Sequence, residues 1–362
     1  MSNILENVFN RFQVSSKFDS YQELNSGHIN DTYLINTVGE PNYVLQKING
    51  NVFEDAANLV VNKVLVSDFL QSKFKSLTKE ELSKKVLCFV KTKDNAFYYK
   101  DSSSNIWNLS VFIEKSKTYL KTPNTEIAFE AGKITGVFLE NTLDFDTSKL
   151  VDILPDFHSV TKRYIQFKEA LKKADASKLE SSKAQIEFIE SNVQEMLQID
   201  KAIAENKIPL RLTHSDTKIS NILFSNAKAL CLIDTDTVMN GVIHFDYGDA
   251  IRTICNTSDE DETNLSLVDF NIDYFKSYSK GFFQELQNIS EEEKSYLPIS
   301  IKTMPFIMGL RFFTDYLKNN VYYKVKYDMH NLDRAKNQFA YIDVINEKYS
   351  EITAYLKQIS SK

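Results

Sequence analysis

The stretch from Thr213 to Gly241 limits what this chain can fold into more than any other. It joins the spacing His214-x-Asp216-x4-Asn221 to an apolar run, Ile222-Leu223-Phe224, and a turn at Ser225-Asn226. A second run, Leu230-Cys231-Leu232-Ile233, then leads into Asp234 and Asp236. Two short β-prone runs around a turn predict a hairpin. Its flanks hold Asp and Asn before the first strand and Asp after the second. Phosphoryl transfer to a hydroxyl needs such a set: one carboxylate orients or deprotonates the acceptor, while an amide oxygen and a second carboxylate hold the magnesium that bridges nucleotide phosphates. The same spacing also occurs as a plain polar loop before a polar strand end. Its coupling to a hairpin that ends in Ile-Asp favours the chemical reading, a kinase.

With 362 residues the chain is long enough for two domains or one bilobal unit. A net charge of -6 argues against a nucleic-acid partner, because affinity for a phosphate backbone needs a basic field. An anionic nucleotide is then left to local groups and magnesium. No apolar run approaches the roughly 20 residues of a membrane span, and the N-terminus lacks the basic and apolar regions of a signal peptide. A cytoplasmic protein without a membrane partner is expected. Cys88, Cys231 and Cys255 then read as reduced, buried thiols. There is no CxxC or HExxH, so no zinc site is expected.

Helix is predicted for the N-terminal segment to about Asn25. A turn around Gly27 follows, flanked by stretches able to pair as strands, where glycine lets backbone approach a ligand closely. His28, Asn30 and Asp31 stand beside it. Tyr43 to Ile48 reads as a strand holding Lys47, a candidate for the phosphates, with solvated surface as the alternative. Lys47 shares a face with Leu45, and Gln46 with Val44. Helix is expected from about Asp55 to Phe74, and Thr78 opens a capping box. Lys85–Val90 and Ala96–Lys100 read as paired strands, and Asn105–Glu114 as a third. In a bilobal kinase the backbone of Phe112, Ile113 and Glu114 would read the adenine where the small lobe joins the large one. Trp107 is either core or a stacking platform.

Strands dominate before residue 115 and amphipathic helices after it, starting with Ile127, Ala131, Ile134 and Phe138. The expected fold is therefore α+β and bilobal: a small β-rich N-terminal lobe, residues 1–114, binds nucleotide, and a larger, mainly helical C-terminal lobe, residues 115–362, holds catalytic and acceptor groups. His158 reads as structural. Asp246, Asp249 and Arg252 crowd one helix start, where a carboxylate either braces the catalytic loop or caps the helix. In the apolar run Ile307–Tyr316, Arg311 either pairs with Asp315 at i+4 or reaches substrate or phosphate.

These motifs resemble the aminoglycoside phosphotransferase and choline kinase superfamily, and more closely the N-acetylhexosamine 1-kinases. The resemblance runs through Gly27-His-Ile-Asn-Asp-Thr32, Tyr43-Val-Leu-Gln46, His214-x-Asp-Thr-Lys218 with Asn221, and Ile233-Asp-x-Asp-Thr-Val-Met239. It continues through Gly248-Asp-Ala-Ile-Arg252 and Leu310–Leu317 with Asn331-Leu-Asp-Arg334. It implies a protein-kinase-like fold and ATP- and magnesium-dependent phosphorylation of the anomeric hydroxyl of N-acetylglucosamine or N-acetylgalactosamine. By the same resemblance Asp216 is the catalytic base, Asn221 and Asp234 are the magnesium ligands, and His28, Asp31 and Arg311 contact the sugar. The family's usual lysine or arginine position falls on Gln46, and Asp236 stands as the alternative to Asp234. Other acceptors, such as an aminoglycoside, choline, homoserine or another sugar, fit the same fold. So does a catalytically dead scaffold, although base and metal ligands are all present.

Overall fold

The computed structural model of the chain describes residues 1–24 and 29–360. Gly27 and His28, expected to meet the nucleotide and the acceptor, lie outside the described residues. The elements in chain order are α1 (Ser2–Phe9), β1 (Lys17–Glu23), β2 (Asp31–Val38), β3 (Tyr43–Lys47), α2 (Ala56–Lys73), α3 (Lys79–Lys85), β4 (Tyr99–Lys100) and β5 (Ile106–Val111). Then come α4 (Thr125–Asn141), α5 (Val160–Lys173), α6 (Ala176–Ser181), α7 (Lys183–Met196), α8 (Gln198–Ala204), β6 (Arg211–Thr213), β7 (Ile222–Ser225), β8 (Lys228–Leu232) and β9 (Met239–Gly241). Four helices close the chain: α9 (Ile243–Ile254), α10 (Ile272–Glu285), α11 (Glu291–Leu317) and α12 (His330–Ser360). Small antiparallel sheet and larger helical part together make the expected α+β, kinase-like fold.

The chain packs as two compact units. The first contains residues 1–118, 141–155 and 223–240, and the second contains 119–140, 156–222 and 241–362. Where the sequence suggested one boundary after Glu114, the first unit runs on to 118 and draws in two later segments.

In the first unit five strands form an antiparallel sheet in the order β1-β2-β3-β5-β4. Side chains alternate across its faces. Tyr43 and Leu45 of β3 pack with Tyr33, Ile35, Trp107 and Leu109 against Leu5, Val8 and Phe9 of α1. Leu59, Val60 and Val64 of α2 cluster with Ile48, Phe53 and Ile106. Each such side chain, fully buried, contributes about 1.5–3 kcal/mol. Trp107 belongs to this core: it is buried, lies near Tyr33 and donates its indole N–H to Asp101 at 2.9 Å. β7 and β8 pair as the expected hairpin, turning at Asn226 and Ala227, both in the left-handed region.

Two expectations are corrected here. Residues 17–23 form strand β1 rather than continuing the N-terminal helix, since pairing along β2 satisfies their backbone. Residues 86–90 do not pair with 96–100. Val90 N–H donates to Leu109 O and Val111 N–H to Cys88 O, so this segment runs along β5, and β4 is two residues long.

The second unit is helical. Residues of α5, α7, α8, α11 and α12 share one apolar core that includes Phe167, Ile189, Phe306, Phe313 and Phe339. The capping box at Ser290 starts α11, as the one at Thr78 starts α3. α4 and α10 cross at Gly132 and Gly281, where a Cβ would meet Tyr278 O at 1.9 Å and Phe129 O at 2.1 Å, so only glycine permits this spacing.

Candidate active site

In the second unit β6 delivers the chain into the loop His214–Asn221. Ser215 sits at φ 63°, a left-handed turn held from two sides. Asp246, in the first turn of α9, accepts the backbone N–H of His214 at 2.9 Å and of Ser215 at 2.7 Å. His158 bonds Ser215 O through Nε2 at 2.9 Å; because a carbonyl only accepts, that nitrogen carries the proton. The Thr217 hydroxyl donates to Asp246 O at 2.5 Å. Asp246 thus braces the loop, one of the two roles read from the sequence. Burial pushes its carboxyl up to about 7, against the pull of the His214 and Ser215 N–H groups. Burial drives His158 down to about 3, so its ring is neutral.

Asp216, a quarter exposed, projects from this loop. Burial disfavours its charge, but Lys218 Nζ at 2.8 Å and the Asn221 amide at 2.8 Å hold the carboxyl below the usual range. Asn221 spends both donated bonds on Asp216, one to the carboxylate and one to the backbone carbonyl at 2.9 Å. Its own carbonyl oxygen is the atom suited to a hard cation. His214 is buried, with its ring edge-on to Phe138. Arg252 pairs with Asp249 at 2.9 Å and Glu260 at 3.0 Å, while Asp249 Oδ2 is buried without a hydrogen-bond partner.

Arg311 does not pair with Asp315. Asp315 accepts from Tyr322 N–H, Tyr323 N–H and the Asn331 amide, at 2.9–3.0 Å, which ties α11 to the segment after it and to α12. The Arg311 guanidinium lies 5.0 Å from the Phe157 ring centre, 5.6 Å from Tyr323 and 5.9 Å from Tyr322. Arg163 is fixed nearby through two bonds to Phe157 O and one to Gln166. Burial, then the Arg311 charge, lowers Arg163 to about 10. The Tyr323 hydroxyl is buried without a hydrogen-bond partner. Among the described residues neither arginine pairs with a carboxylate.

In the first unit the β3 face that carries Gln46 turns toward α2. Gln46 Oε1 accepts from Lys63 at 2.8 Å and Asn108 at 3.2 Å. Lys63 also forms a buried ion pair with Asp236 Oδ1, and Asn30 donates to Asp236 Oδ2. Lys47 instead pairs with Asp31 across the strand edge at 2.9 Å, both partly exposed. Asp234, after β8, adopts φ 61°, ψ 52°. After β5, Phe112 N–H donates to Asn42 O, Ile113 is buried, and Glu114 accepts from the Asn42 amide at 2.9 Å.

The sequence reading missed Lys63 and Arg163. A signal for Lys63 existed: it stands four residues after Leu59 and three after Val60, on the buried stripe of α2. A lysine there needs a partner.

Comparison with known proteins follows this geometry. The model of the phosphotransferase enzyme family matches residues 133–279. Over those residues the chain is similar to that family. A microcompartment-associated aminopropanol kinase matches over 96% of this chain and 98% of its own, at 14% identity and TM-score 0.63. Spectinomycin phosphotransferase in complex with ADP and spectinomycin covers 99% of both chains at 12% identity and TM-score 0.62. Choline kinase from Cryptosporidium parvum Iowa II covers 100% of both, at 13% identity and TM-score 0.61. The chain is similar to these kinases in fold.

Proposed function

We propose that this chain is an ATP-dependent kinase that phosphorylates the anomeric hydroxyl of an N-acetylhexosamine. The observation that carries the kinase reading is Asp216, held ionised by Lys218 and by Asn221, whose carbonyl oxygen is left for a cation. The anomeric oxygen attacks the γ-phosphorus, the bond from that phosphorus to the bridging oxygen breaks, and ADP leaves. Asp216 orients the hydroxyl and takes its proton. Asn221 and Asp234 would hold magnesium through oxygen donors, the type that ion prefers; when bound it would neutralise charge developing on the phosphates. Among the described residues no cluster of three His, Cys, Asp or Glu forms a protein-only metal cage, which suits an ion completed by nucleotide phosphates.

The acceptor reading rests on Arg311 and Arg163. Choline is a quaternary ammonium ion and aminopropanol a protonated amine, so both are cations, and a cation-binding site wants aromatic rings and negative charge. Here three rings surround Arg311, with a second guanidinium nearby. That field repels a cationic acceptor and suits the carbonyl and hydroxyl oxygens of an N-acetylated sugar.

A coupled assay of ADP release tests this with N-acetylglucosamine, N-acetylgalactosamine, glucose, galactose, choline and kanamycin, and phosphorus NMR locates the new ester. Turnover on an N-acetylhexosamine, with a 1-phosphate product, is expected. Preference for choline or kanamycin overturns the acceptor reading, and absence of turnover on every acceptor overturns the kinase reading.

A further inference from the structure

Arg311 and Asp315 lie about one helical turn apart on α11, so their side chains leave the helix on one face. The carboxylate is committed to N–H groups rather than to the guanidinium. Its Oδ1 accepts the Tyr322 N–H at 2.9 Å and its Oδ2 the Tyr323 N–H at 3.0 Å, while the Asn331 amide of α12 adds a third bond at 2.9 Å. Asp315 is buried. One carboxylate thus meets two consecutive backbone N–H groups, one on each oxygen, which sets both the place and the register of the segment 318–329 between α11 and α12. The segment is also tied within itself. Asn320 N–H donates to Asp315 O at 2.8 Å, and the Asn320 amide donates to Asp328 O at 2.9 Å.

Apolar packing does little to hold the same stretch, since Val321 is 75% and Tyr322 53% exposed. The bonds to Asp315 therefore decide where residues 321–323 stand. They stand beside Arg311, whose guanidinium lies 5.6 Å from the Tyr323 ring centre and 5.9 Å from that of Tyr322, with Phe157 at 5.0 Å. Rings against a guanidinium hold it in place and leave its N–H groups for the oxygens of a ligand. The Tyr323 hydroxyl is buried without a hydrogen-bond partner, an atom that a bound polar ligand would satisfy.

We infer that Asp315 is a positioning residue of the acceptor site: by keying residues 321–323 to α11 it builds the tyrosine wall that fixes the Arg311 guanidinium for the acceptor. The inference rests on the reading of Arg311 as an acceptor contact. It also gives the i+4 spacing a purpose, because an ion pair with Asp315 would tie down the guanidinium that the acceptor needs.

The test is steady-state kinetics of the full-length protein at saturating ATP and magnesium, with N-acetylglucosamine or N-acetylgalactosamine, whichever is turned over faster. Wild type is compared with Asp315→Asn, Asn331→Ala, Arg311→Ala and the double variant Asp315→Asn with Arg311→Ala. Lys302→Met, which removes an ion pair with Glu195 elsewhere on α11, controls for plain destabilisation. Melting temperature and ADP affinity by calorimetry are read for each. Asp315→Asn should raise the acceptor KM about 10-fold and leave ADP affinity unchanged. Asn331→Ala, which removes one of the three donors, should raise it about 3-fold and carries the test should Asp315→Asn fail to fold. Lys302→Met should lower the melting temperature and keep the wild-type KM. The double variant should stay within about 2-fold of Arg311→Ala, because Asp315 acts through Arg311. Asp315→Asn or Asn331→Ala with a lowered melting temperature and wild-type KM overturns the inference, as does a double variant in which the two KM penalties multiply; both outcomes leave the acceptor reading standing. Arg311→Ala with the wild-type KM, or wild type that turns over neither sugar, defeats the acceptor reading and the inference with it.

Discussion

Removing the Asp246 carboxylate tests how the loop His214–Asn221 is held. Asp246 is fully buried and takes the His214 and Ser215 N–H groups on separate oxygens. In Asp246→Ala both donors lose their partner in a place water does not reach. An orphaned buried donor costs about 1–3 kcal/mol, so the pair should cost about 4 kcal/mol. That is a large share of the roughly 5–15 kcal/mol that holds a typical domain folded. Asp246→Asn keeps one acceptor oxygen and turns an NH2 toward the other donor, so about half the loss should remain. Urea unfolding followed by circular dichroism at pH 8 gives the stabilities, and turnover on the acceptor found in the panel reports the loop. Turnover should fall in both variants, because Asp216 is one residue beyond Ser215. Two variants within about 1 kcal/mol of wild type would refute the claim that these bonds carry the loop.

Asp216→Asn should retain nucleotide affinity by calorimetry while turnover falls about 10²–10⁴-fold, the usual worth of a general base; near-wild-type turnover removes the residue from that role. Burial lowers His158 to about 3 and His244 to about 4. Unfolded histidine takes its proton near 6.5, so as pH falls from there toward 4 the unfolded state binds more protons and stability drops, by about 1.4 kcal/mol per pH unit per histidine. His158→Gln should flatten the stability–pH slope by one histidine's share across that window, and an unchanged slope contradicts a neutral buried ring. Gly132→Ala places a Cβ 1.9 Å from Tyr278 O and should cost at least about 3 kcal/mol, whereas Gly50→Ala, with nothing within 4 Å, should leave the melting temperature within a degree or two.

Elements with a local cause were legible in the sequence: the hairpin from its two apolar runs, α2 from Asp55 onward, and the two capping boxes. What failed depended on partners distant in the chain. Period-two alternation correctly put Gln46 and Lys47 on opposite faces, yet nothing local said that α2 covers the Gln46 face. Lys47 is therefore preferred from the sequence, although it pairs with Asp31 across β2 and β3, and the lysine that bonds Gln46 is the buried Lys63 of α2. Residues 17–23 lack a strong apolar alternation because β1 is an edge strand, largely exposed, whose pairing is settled by β2. The i+4 spacing of Arg311 and Asp315 suggested an ion pair, but three N–H donors from elsewhere claim that carboxylate. Asp236 stands in the sequence as the alternative to Asp234, and nothing local shows that Asn30 and Lys63, more than 170 residues away, bind it.

The first unit is drawn from three separated lengths of chain, and this bears on how the polypeptide is made. On the ribosome, residues 1–118 emerge while Asp236 is still unsynthesised, so the ammonium of Lys63 stays without its counterion until residue 240 has cleared the exit tunnel. The whole of the second unit's loop, His214 to Asn221, is translated inside that interval. The first unit therefore cannot be cut out as one length of chain, and a gene fragment ending at residue 118 should yield aggregation-prone material rather than a small folded domain.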